Sequence, residues 1–319
     1  MNRLRPEADG SGPATSVLAV DIGATKMATA IVDGTGRLRG RAETPTDAGL
    51  GAEGLFAALA RTVERTRAEV AGGALDAPGR DTTAPGACGV GAAGPIDLGA
   101  GTVSPLNTPA WRQFPLRRRL QEATGLPVFL DLDAKALALG EGWIGAARGV
   151  GDFVALVVST GVGGGIVSRG QLLDGATGNA GHLGHLIVEP DGAPCACGAR
   201  GCLEAEASGP AIAARTGRAP EHADAETIAR TGRLVGRAVA GVANLLDLRL
   251  AAVAGSVALG FGRPFFAAAQ EELDRSCRLA FSRGCRIVPA GLGERGPLVG
   301  AAAVAFAGLG SAAAPDRPD

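Results

Sequence analysis

The residue types best suited to chemistry are concentrated in one short stretch, residues 182–204, which reads HLGHLIVEPDGAPCACGARGCLE. This stretch holds two of the three histidines and three of the six cysteines of the chain. Its imidazole and thiol groups could supply the four ligands of a tetrahedral zinc ion: His185, Cys195, Cys197 and Cys202. Four protein ligands leave no open coordination position, so the pattern predicts a structural metal.

The alternative interpretation of this stretch is three buried thiols beside an ordinary polar histidine. The C-x-C pair is tighter than the spacing of a usual zinc knuckle, which weakens the argument from spacing. Zinc is nevertheless favoured, because the other cysteines, Cys88, Cys277 and Cys285, show no such grouping.

Two glycine-rich turns could hold phosphate. In DIGATK, Asp21 ends an apolar strand, and the backbone amides of the turn that Gly23 opens could face an anion together with Thr25. The segment STGVGGG repeats this design with small and hydroxyl-bearing residues: Ser159, Thr160, Gly161, Gly163, Gly164 and Gly165. Each turn alone is more often only a hairpin, and neither matches a P-loop or a dinucleotide-binding pattern. The occurrence of one such turn in each half of the chain favours phosphate binding.

A third candidate is Asp133, which follows the strand LPVFLDLD and precedes a segment rich in helix formers. A carboxylate at this point could be the N-cap of the helix. It could equally be the general base of a group transfer to an alcohol.

The elements that must position these residues predict two domains. The segments SVLAVDIG and KMATAIVDG form one predicted hairpin, and FVALVVSTGVGGGIV repeats that arrangement, which suggests two related halves. Apolar residues at near-helical spacing from Ala52 to Val70 predict an amphipathic helix. We therefore expect an α/β protein with mixed sheets. The expected boundaries are a disordered N-terminus at 1–15, a smaller domain at 16–132 joined by a C-terminal helix at 297–308, a larger domain at 133–296, and a disordered tail at 309–319.

Length and charge narrow the possible functions. A chain of 319 residues suits two domains, each with its own core. Its 31 basic and 32 acidic residues create no global field for nucleic acid or an anionic membrane. The first residues do not resemble a signal peptide, and the most apolar stretch, 298–314, is too short and weakly apolar for a bilayer span. We expect a cytoplasmic protein whose cysteines are thiols or metal ligands.

Six motifs resemble, in order and spacing, the ROK family of sugar kinases and sugar-responsive repressors. They are DIGATK, GAAGPID, SPLNTPAW, DLDAKALALGE, STGVGGGIV, and GHLGH followed by CACGARGCLE. The resemblance covers about residues 16–308. It implies the two-domain actin/hexokinase-like α/β fold, which is ribonuclease H-like and has an interdomain cleft. It also implies a homodimer or a higher homo-oligomer.

In such kinases ATP lies in the cleft, and the two turns hold its phosphates. The resemblance assigns that role here to Gly23, Thr25, Lys26, Thr160, Gly161 and Gly163. Asp21 would face Mg²⁺, which needs few protein ligands because it keeps water and binds phosphate oxygens. Gly255 lies where the family has its adenosine-side glycines.

The same resemblance makes Asp133 the general base that accepts the proton of the sugar hydroxyl. Asn107, His185 and Glu204 match positions that hydrogen-bond sugar hydroxyls in relatives. His185 would bind zinc with one ring nitrogen and the sugar with the other, so a structural metal would orient a substrate contact.

Three residues depart from the family pattern. Relatives usually have Asn at the positions of Leu132 and Lys135, and Glu at the position of His182. Leucine offers no hydrogen bond where relatives contact the sugar, and an imidazole offers different hydrogen bonds from a carboxylate. We expect an intact phosphate apparatus and an altered acceptor pocket, in which His182 either faces the sugar or is an ordinary core or loop residue.

The leading prediction is a kinase that uses ATP and Mg²⁺ to phosphorylate a hexose, most simply glucose at its 6-hydroxyl. The altered pocket leaves open an N-acetylhexosamine, an amino sugar or a cyclitol as the acceptor. It also leaves open a non-catalytic sugar-binding protein. A DNA-binding repressor is not expected, since such relatives carry a winged helix domain ahead of the first motif and only 20 residues precede Asp21.

Overall fold

The computed structural model describes residues 16–73, 84–106 and 108–312 of the chain. These residues form two compact units. Unit 1 takes in residues 1–143, 174–179 and 294–319 as far as they are described, and unit 2 takes in residues 144–173 and 180–293.

The helices and strands follow one another in this order. The first part of the chain contains β1 (Val17–Ile22), β2 (Lys26–Val32), β3 (Leu38–Pro45), α1 (Gly51–Gly73), β4 (Cys88–Ala92), β5 (Ile96–Asp97), β6 (Thr102–Val103), α2 (Leu116–Thr124), β7 (Val128–Leu132) and α3 (Asp133–Ile144). The second part contains β8 (Phe153–Val158), β9 (Val162–Ser168), β10 (Gln171–Leu172), α4 (Leu203–Ala207), α5 (Gly209–Thr216), α6 (Ala225–Leu246), β11 (Leu250–Ala254), α7 (Ser256–Ser276) and β12 (Arg286–Pro289). The last helix, α8 (Gly296–Ala312), belongs to unit 1.

The five-stranded sheet of unit 1 has the order β3-β2-β1-β4-β7. β1, β2 and β3 pair antiparallel, whereas β1, β4 and β7 run parallel. Successive side chains of β1 point to opposite faces of the sheet, and the apolar side chains on both faces are buried. Helices therefore pack on both faces of this sheet. Leu18 and Val20 belong to the core that includes α1 and α2, and Val17 and Ala19 belong to the core that includes α8.

The five-stranded sheet of unit 2 repeats this arrangement with the order β10-β9-β8-β11-β12. The hairpin of β8 and β9 is antiparallel, and β8, β11 and β12 run parallel. α6 begins after Asp224, whose carboxylate accepts the amide hydrogen of Thr227 and so caps the helix. α6 then buries an apolar stripe in the core of the unit. α7 is interrupted at Gly262, whose φ of 59° is left-handed, shortly before Pro264.

The predicted α/β fold with mixed sheets is confirmed, and both predicted hairpins are present. The helix predicted between Ala52 and Val70 is α1. The predicted domain boundary after residue 132 differs from the structure, in which unit 1 extends to Trp143. The reason is that β7 continues directly into α3, whose Lys135 pairs with other residues of unit 1. The predicted end of the last helix at 308 also differs, since α8 runs to Ala312.

The segments expected to be disordered, 1–15 and most of 309–319, lie outside the described residues. In the part of the chain that the structure describes, no helix is both long enough and apolar enough to cross a membrane.

Candidate active site and metal centre

The four predicted metal ligands of unit 2 come together. His185 ends a short 3-10 helix, Leu183–His185, and Cys202 immediately precedes α4. The ligand atoms of His185, Cys195, Cys197 and Cys202 all lie within 4.8 Å of one another. Among the described residues, this is the one such group of histidine, cysteine or acidic side chains.

The distances within this cluster fit a zinc tetrahedron. Zn–S bonds of about 2.3 Å and a Zn–N bond of about 2.0 Å, at tetrahedral angles, separate two sulfurs by about 3.8 Å and a sulfur from a nitrogen by about 3.5 Å. In the structure, the Sγ atoms of Cys197 and Cys202 are 3.7 Å apart, and Cys195 Sγ is 3.6 Å from Nδ1 of His185. The donor set therefore matches the ion predicted from the sequence.

The ionisation of the three thiols also favours a bound cation. Burial and the neighbouring thiols raise the pKa of Cys202 to about 12, so three thiolates would not coexist here unaided. A divalent ion reverses this preference by binding the deprotonated sulfurs. Since Nδ1 of His185 faces the cluster, Nε2 is the ring nitrogen available for another partner.

Glu204 lies in the first turn of α4, two residues after the last ligand. Its Oε2 accepts the amide hydrogen of Val162, the first residue of β9, at 2.8 Å. Glu204, which is predicted to bind the sugar, therefore also stabilises the glycine turn between β8 and β9. His182 is exposed, and its ring centroid lies 6.0 Å from that of His185. Desolvation and the neighbouring His185 lower the pKa of His182, which the carboxylate of Glu204 opposes.

The β8–β9 turn of unit 2, residues 159–161, is held by several hydrogen bonds. The Ser159 amide donates to the carbonyl of Gly161 at 2.9 Å, and the amide of Gly209 donates to the carbonyl of Ser159 at 2.8 Å. The hydroxyls of Ser159 and Ser256 are 2.9 Å apart. These contacts leave Thr160 exposed at the tip of the turn. Gly163 follows within β9, paired with Val157.

Gly255 brings the start of α7 beside this turn. Its φ is 100°, and a Cβ at this position would lie 2.2 Å from the carbonyl oxygen of Val158, so only glycine fits. Gly255 is the N-cap of α7, and Ser256, the first residue of α7, contacts Ser159. The free amides and the positive end of the helix dipole therefore adjoin the turn, an arrangement that favours anions.

The β1–β2 turn of unit 1, residues 23–25, is held differently. The amide of Gly23 donates to the carbonyl of Lys26 at 3.0 Å. Thr46 donates two further hydrogen bonds to this turn. Its amide donates to the carbonyl of Thr25 at 3.0 Å, and its hydroxyl donates to the carbonyl of Gly23 at 2.9 Å. Thr25 is exposed. Lys26, predicted to bind phosphate, lies 3.3 Å from Glu43, and both side chains are about half exposed.

Asp21 and Asp133 lie at the carboxyl edge of the parallel strands of unit 1. The strand register places Asp21 beside Gly91 and Gly91 beside Asp131, and Asp133 begins α3 two residues later. This edge is where open α/β sheets bind ligands. Burial and then the charge of Asp133 raise the pKa of Asp21 to about 7.

The contacts of Asp133 do not match those of an N-cap. Its Oδ1 accepts the amide hydrogen of the next residue, Ala134, at 2.7 Å, whereas an N-cap side chain accepts from the second or third residue of the helix. Desolvation raises the pKa of its carboxyl group. A half-buried carboxyl group with a raised pKa, next to a second acid, is typical of a functional site.

The two departures in the DLDAK motif lie inside unit 1. Leu132 is buried in the core. Lys135 is fully buried, and its Nζ donates to Asp131 Oδ1 at 2.8 Å, Asp174 Oδ1 at 2.7 Å and the carbonyl of Gly178 at 3.2 Å. These partners match the three donors of an ammonium group.

Sequence reasoning missed this network around the buried Lys135. The i,i+4 spacing of Asp131 and Lys135 was a local signal for one pair. Asp174 carried no such signal, because it lies 39 residues away. Of the remaining predicted residues, Asn107 lies outside the described residues.

The comparisons with known proteins agree with this architecture. Residues 17–307 match the sequence model of the ROK family, so the chain belongs to the ROK family. The N-acetylmannosamine kinase of Citrobacter koseri is 38% identical over 263 residues, which cover 77% of this chain and 85% of that protein. The glucokinase of Thermotoga maritima is 33% identical over 324 residues, which cover 92% of this chain and 98% of that protein.

A solved structure shows the same likeness. The crystal structure of a ROK family glucokinase from Streptomyces griseus, in complex with glucose and AMPPNP, is 30% identical with a TM-score of 0.77. The match covers 91% of this chain and 99% of that one. The predicted family and fold class are thereby confirmed.

Proposed function

We propose that the protein is a sugar kinase that transfers the γ-phosphoryl group of ATP to a hexose, with the 6-hydroxyl of glucose as the first candidate acceptor. The observation that carries the proposal is the pair of acids in unit 1, Asp21 and Asp133, whose pKa values are both raised. Family membership and the likeness to a glucokinase that binds glucose and AMPPNP support it.

Asp133 is the proposed general base. Its raised pKa makes it a stronger base than an ordinary carboxylate, and a cation bound nearby would favour its ionised form. The amide of Ala134 holds Oδ1, so Oδ2 is the proposed acceptor of the hydroxyl proton. The sugar oxygen then forms the new bond to phosphorus as the bond to ADP breaks.

The acids and turns have complementary roles in this proposal. Mg²⁺, when bound with ATP, would neutralise phosphate charge, and Asp21 is the residue proposed to face it through water. The amides and hydroxyls at Gly23, Thr25, Thr160 and Gly161 are proposed to bind phosphate oxygens. Lys26 and Gly163 are also proposed to bind the phosphates, and Gly255 is proposed to lie on the adenosine side of the nucleotide.

The acceptor is proposed to be bound by the Nε2 atom of His185, by Glu204 and by Asn107. Zinc, when bound by His185, Cys195, Cys197 and Cys202, would fix the tautomer and orientation of His185. Glu204 also contacts the β8–β9 turn, so acceptor and phosphate binding would share one carboxylate.

A second candidate acceptor is N-acetylmannosamine. His182 is favoured here as the discriminating residue, because it is exposed beside His185 and an imidazole can donate a hydrogen bond to an acetamido carbonyl. A carboxylate at this position could not. The similarity to the N-acetylmannosamine kinase of Citrobacter koseri supports this alternative.

A non-catalytic binding protein is less favoured. The departures that prompted it, Leu132 and Lys135, are both internal, so neither places a hydrophobic or cationic side chain beside the reacting hydroxyl. Asp133 itself is retained.

The test is a coupled ADP-release assay of the purified protein with ATP, Mg²⁺ and a panel containing glucose, N-acetylmannosamine, other hexoses and cyclitols. We expect sugar-dependent ADP release that Asp133→Asn lowers by about 10²- to 10⁴-fold, the usual contribution of a general base. Asp274→Asn is the matched control, since Asp274 is an exposed residue of α7 that lies outside the glycine turns and the zinc loop. Activity unchanged by Asp133→Asn would refute the assignment of the base, and ADP release with none of the acceptors would refute the kinase.

A further inference from the structure

The geometry points to Glu206 and Arg230 as positioning residues that hold the zinc loop, residues 186–202, in its metal-binding conformation. This inference deepens the proposed function, because the loop carries the ligands that would orient His185. None of the sequence motifs singled out either residue.

Glu206 is a buried carboxylate with two strong partners in different parts of unit 2. The side chain is only 5% exposed. Its Oε1 accepts the amide hydrogen of Ala193, within the zinc loop, at 2.6 Å, and its Oε2 accepts from Nη2 of Arg230 on α6 at 2.6 Å. Because charge-assisted bonds are the strong ones, this carboxylate ties the loop to a long, well-packed helix.

The local packing is built around this contact. A Cβ at Gly192 would lie 2.2 Å from Oε1 of Glu206, so the loop has no room for a larger residue where the carboxylate enters. Ala193 also accepts the amide hydrogen of Gly201 at 2.8 Å, which joins the two arms of the loop just before Cys202. The bond from Glu206 therefore acts at the point where the arms meet.

α4 connects Glu206 to the proposed acceptor site, because the same helix carries Glu204. Glu204 and Glu206 are two residues apart, which places them about 200° apart around the helix. One points to Val162 of the β8–β9 turn, and the other points to the zinc loop. Since Cys202 immediately precedes α4, a shift of Glu206 would move both a metal ligand and Glu204.

A second arginine of α6 supports the same arm of the loop, nearer to the start of that arm. Arg237 follows Arg230 by seven residues and so lies on the same face two turns later. Its Nη1 donates to the carbonyl of Val188 at 2.7 Å. α6 thus holds the entering arm at two points, directly through Arg237 at Val188 and indirectly through Arg230 and Glu206 at Ala193.

The experiment measures zinc release from the zinc-loaded full chain to a coloured chelator. We expect Glu206→Gln and Arg230→Met each to release zinc about tenfold faster than the wild type, in line with the loss of an outer partner of a metal site. Arg230→Lys should restore part of the retention. The control is Arg233→Met, since Arg233 lies exposed on the same helix and should leave the rate unchanged.

The double variant separates a pairwise effect from general damage. If the two residues act as one pair, Glu206→Gln with Arg230→Met should release zinc about as fast as either single variant. In the kinase assay, Glu206→Gln should raise the KM for the sugar several-fold with kcat nearly unchanged. Zinc release within twofold of the wild type for Glu206→Gln, or equal acceleration by Arg233→Met, would overturn the inference. The release rate requires no kinase activity, so it decides the inference even if the proposed function fails.

Discussion

The glycine turns of units 1 and 2 occupy the same place in two sheets of the same strand order, but they are held by different contacts. Lys26 begins β2 after the first turn and forms a half-exposed ion pair with Glu43. Val162 begins β9 after the second turn, and its amide is bound by the carboxylate of Glu204. The first turn is secured by neutral bonds from Thr46, whereas the second is surrounded by α4, α5 and α7.

The different contacts of the two turns indicate different roles for two units of similar fold. Unit 1 places acids with raised pKa values, Asp21 and Asp133, close to its turn, which suits proton transfer and a cation. Unit 2 places the start of α7 beside its turn, and Glu204, two residues after the last cysteine of the His–Cys cluster, bonds to Val162 at the end of the turn. These contacts suit fixed binding of an anion and a polar ligand. The same hairpin can thus serve chemistry in one unit and binding in the other.

Among the tests that compare the two units, the largest expected effect comes from Asp21→Asn, which tests the acidic character of unit 1. Without the carboxylate, we expect kcat/KM to fall by on the order of 100-fold, as when one electrostatic contact to the transition state is lost. The coupled ADP-release assay measures this change. A fall of less than threefold would contradict a role for Asp21 in the reaction.

The same variant has an opposite effect on stability. Burial and Asp133 raise the pKa of Asp21 from 3.8 to about 7, so the folded protein keeps a proton that the unfolded chain releases. The contribution of this group to stability is complete below pH 3.8 and is lost as the pH rises through about 7. Asp21→Asn should therefore raise the melting temperature of the ligand-free protein at pH 8 and leave it unchanged near pH 4. Equal shifts at both pH values would contradict the raised pKa.

Gly255→Ala tests the tight packing beside the turn of unit 2. The added Cβ would meet the Val158 carbonyl at 2.2 Å in a left-handed conformation. We expect a loss of about 2–4 kcal/mol in the free energy of unfolding. The control is Gly260→Ala, because Gly260 has no neighbour within 4 Å at its Cβ position. Denaturant titration of the two variants checks the difference, and equal losses would argue against the close approach.

A paired comparison of Glu204→Gln and Thr46→Val tests the bracing of the two turns. Glu204 makes a charge-assisted bond to its turn, whereas Thr46 makes a neutral one. Bonds to charged groups contribute about 1.5–3 kcal/mol and neutral bonds about 1 kcal/mol. We expect the KM for ATP to rise about tenfold in the first variant and about threefold in the second. The reverse order in steady-state kinetics would show that the first turn is the more tightly braced.

The smallest expected effect is that of Lys26→Met on stability. Its ion pair with Glu43 is exposed on both sides. Exposed pairs contribute about 0–1 kcal/mol, so we expect a change of about 0.5 kcal/mol or less in the free energy of unfolding. A loss above about 1 kcal/mol in denaturant titration would mean that this turn depends on its lysine.

Much of the architecture was predictable because its signals are local. Apolar runs that end in glycine turns predicted both hairpins, and the spacing of His185 and its three cysteines predicted the cluster. The strand-to-helix junction at Asp133 was also visible. Each of these patterns depends on residues within about 20 positions of one another.

The surroundings of Leu132 and Lys135, which depart from the family pattern, were not predictable from local signals. Leu132 and Lys135 depart from the asparagines that the family resemblance implies at these motif positions, so the sequence predicted an altered pocket. The structure places Leu132 in a core and Lys135 in an ion network. One partner of Lys135, Asp174, comes from a segment of unit 1 whose chain neighbours belong to unit 2. No short-range pattern reveals that segment.

The sequence by itself determined the order of the motifs, the family, the alternation of strands and helices, and the members of the His–Cys cluster, because these follow from residue type and short spacing. The tertiary structure decided which atom of His185 faces the cluster, which carboxyl groups have a raised pKa and which charges are paired. The physical reason is that burial and charge pairing depend on groups far apart in the chain. Only the folded packing brings Glu206 to Arg230, or Lys135 to Asp174, and so gives these charged side chains their surroundings.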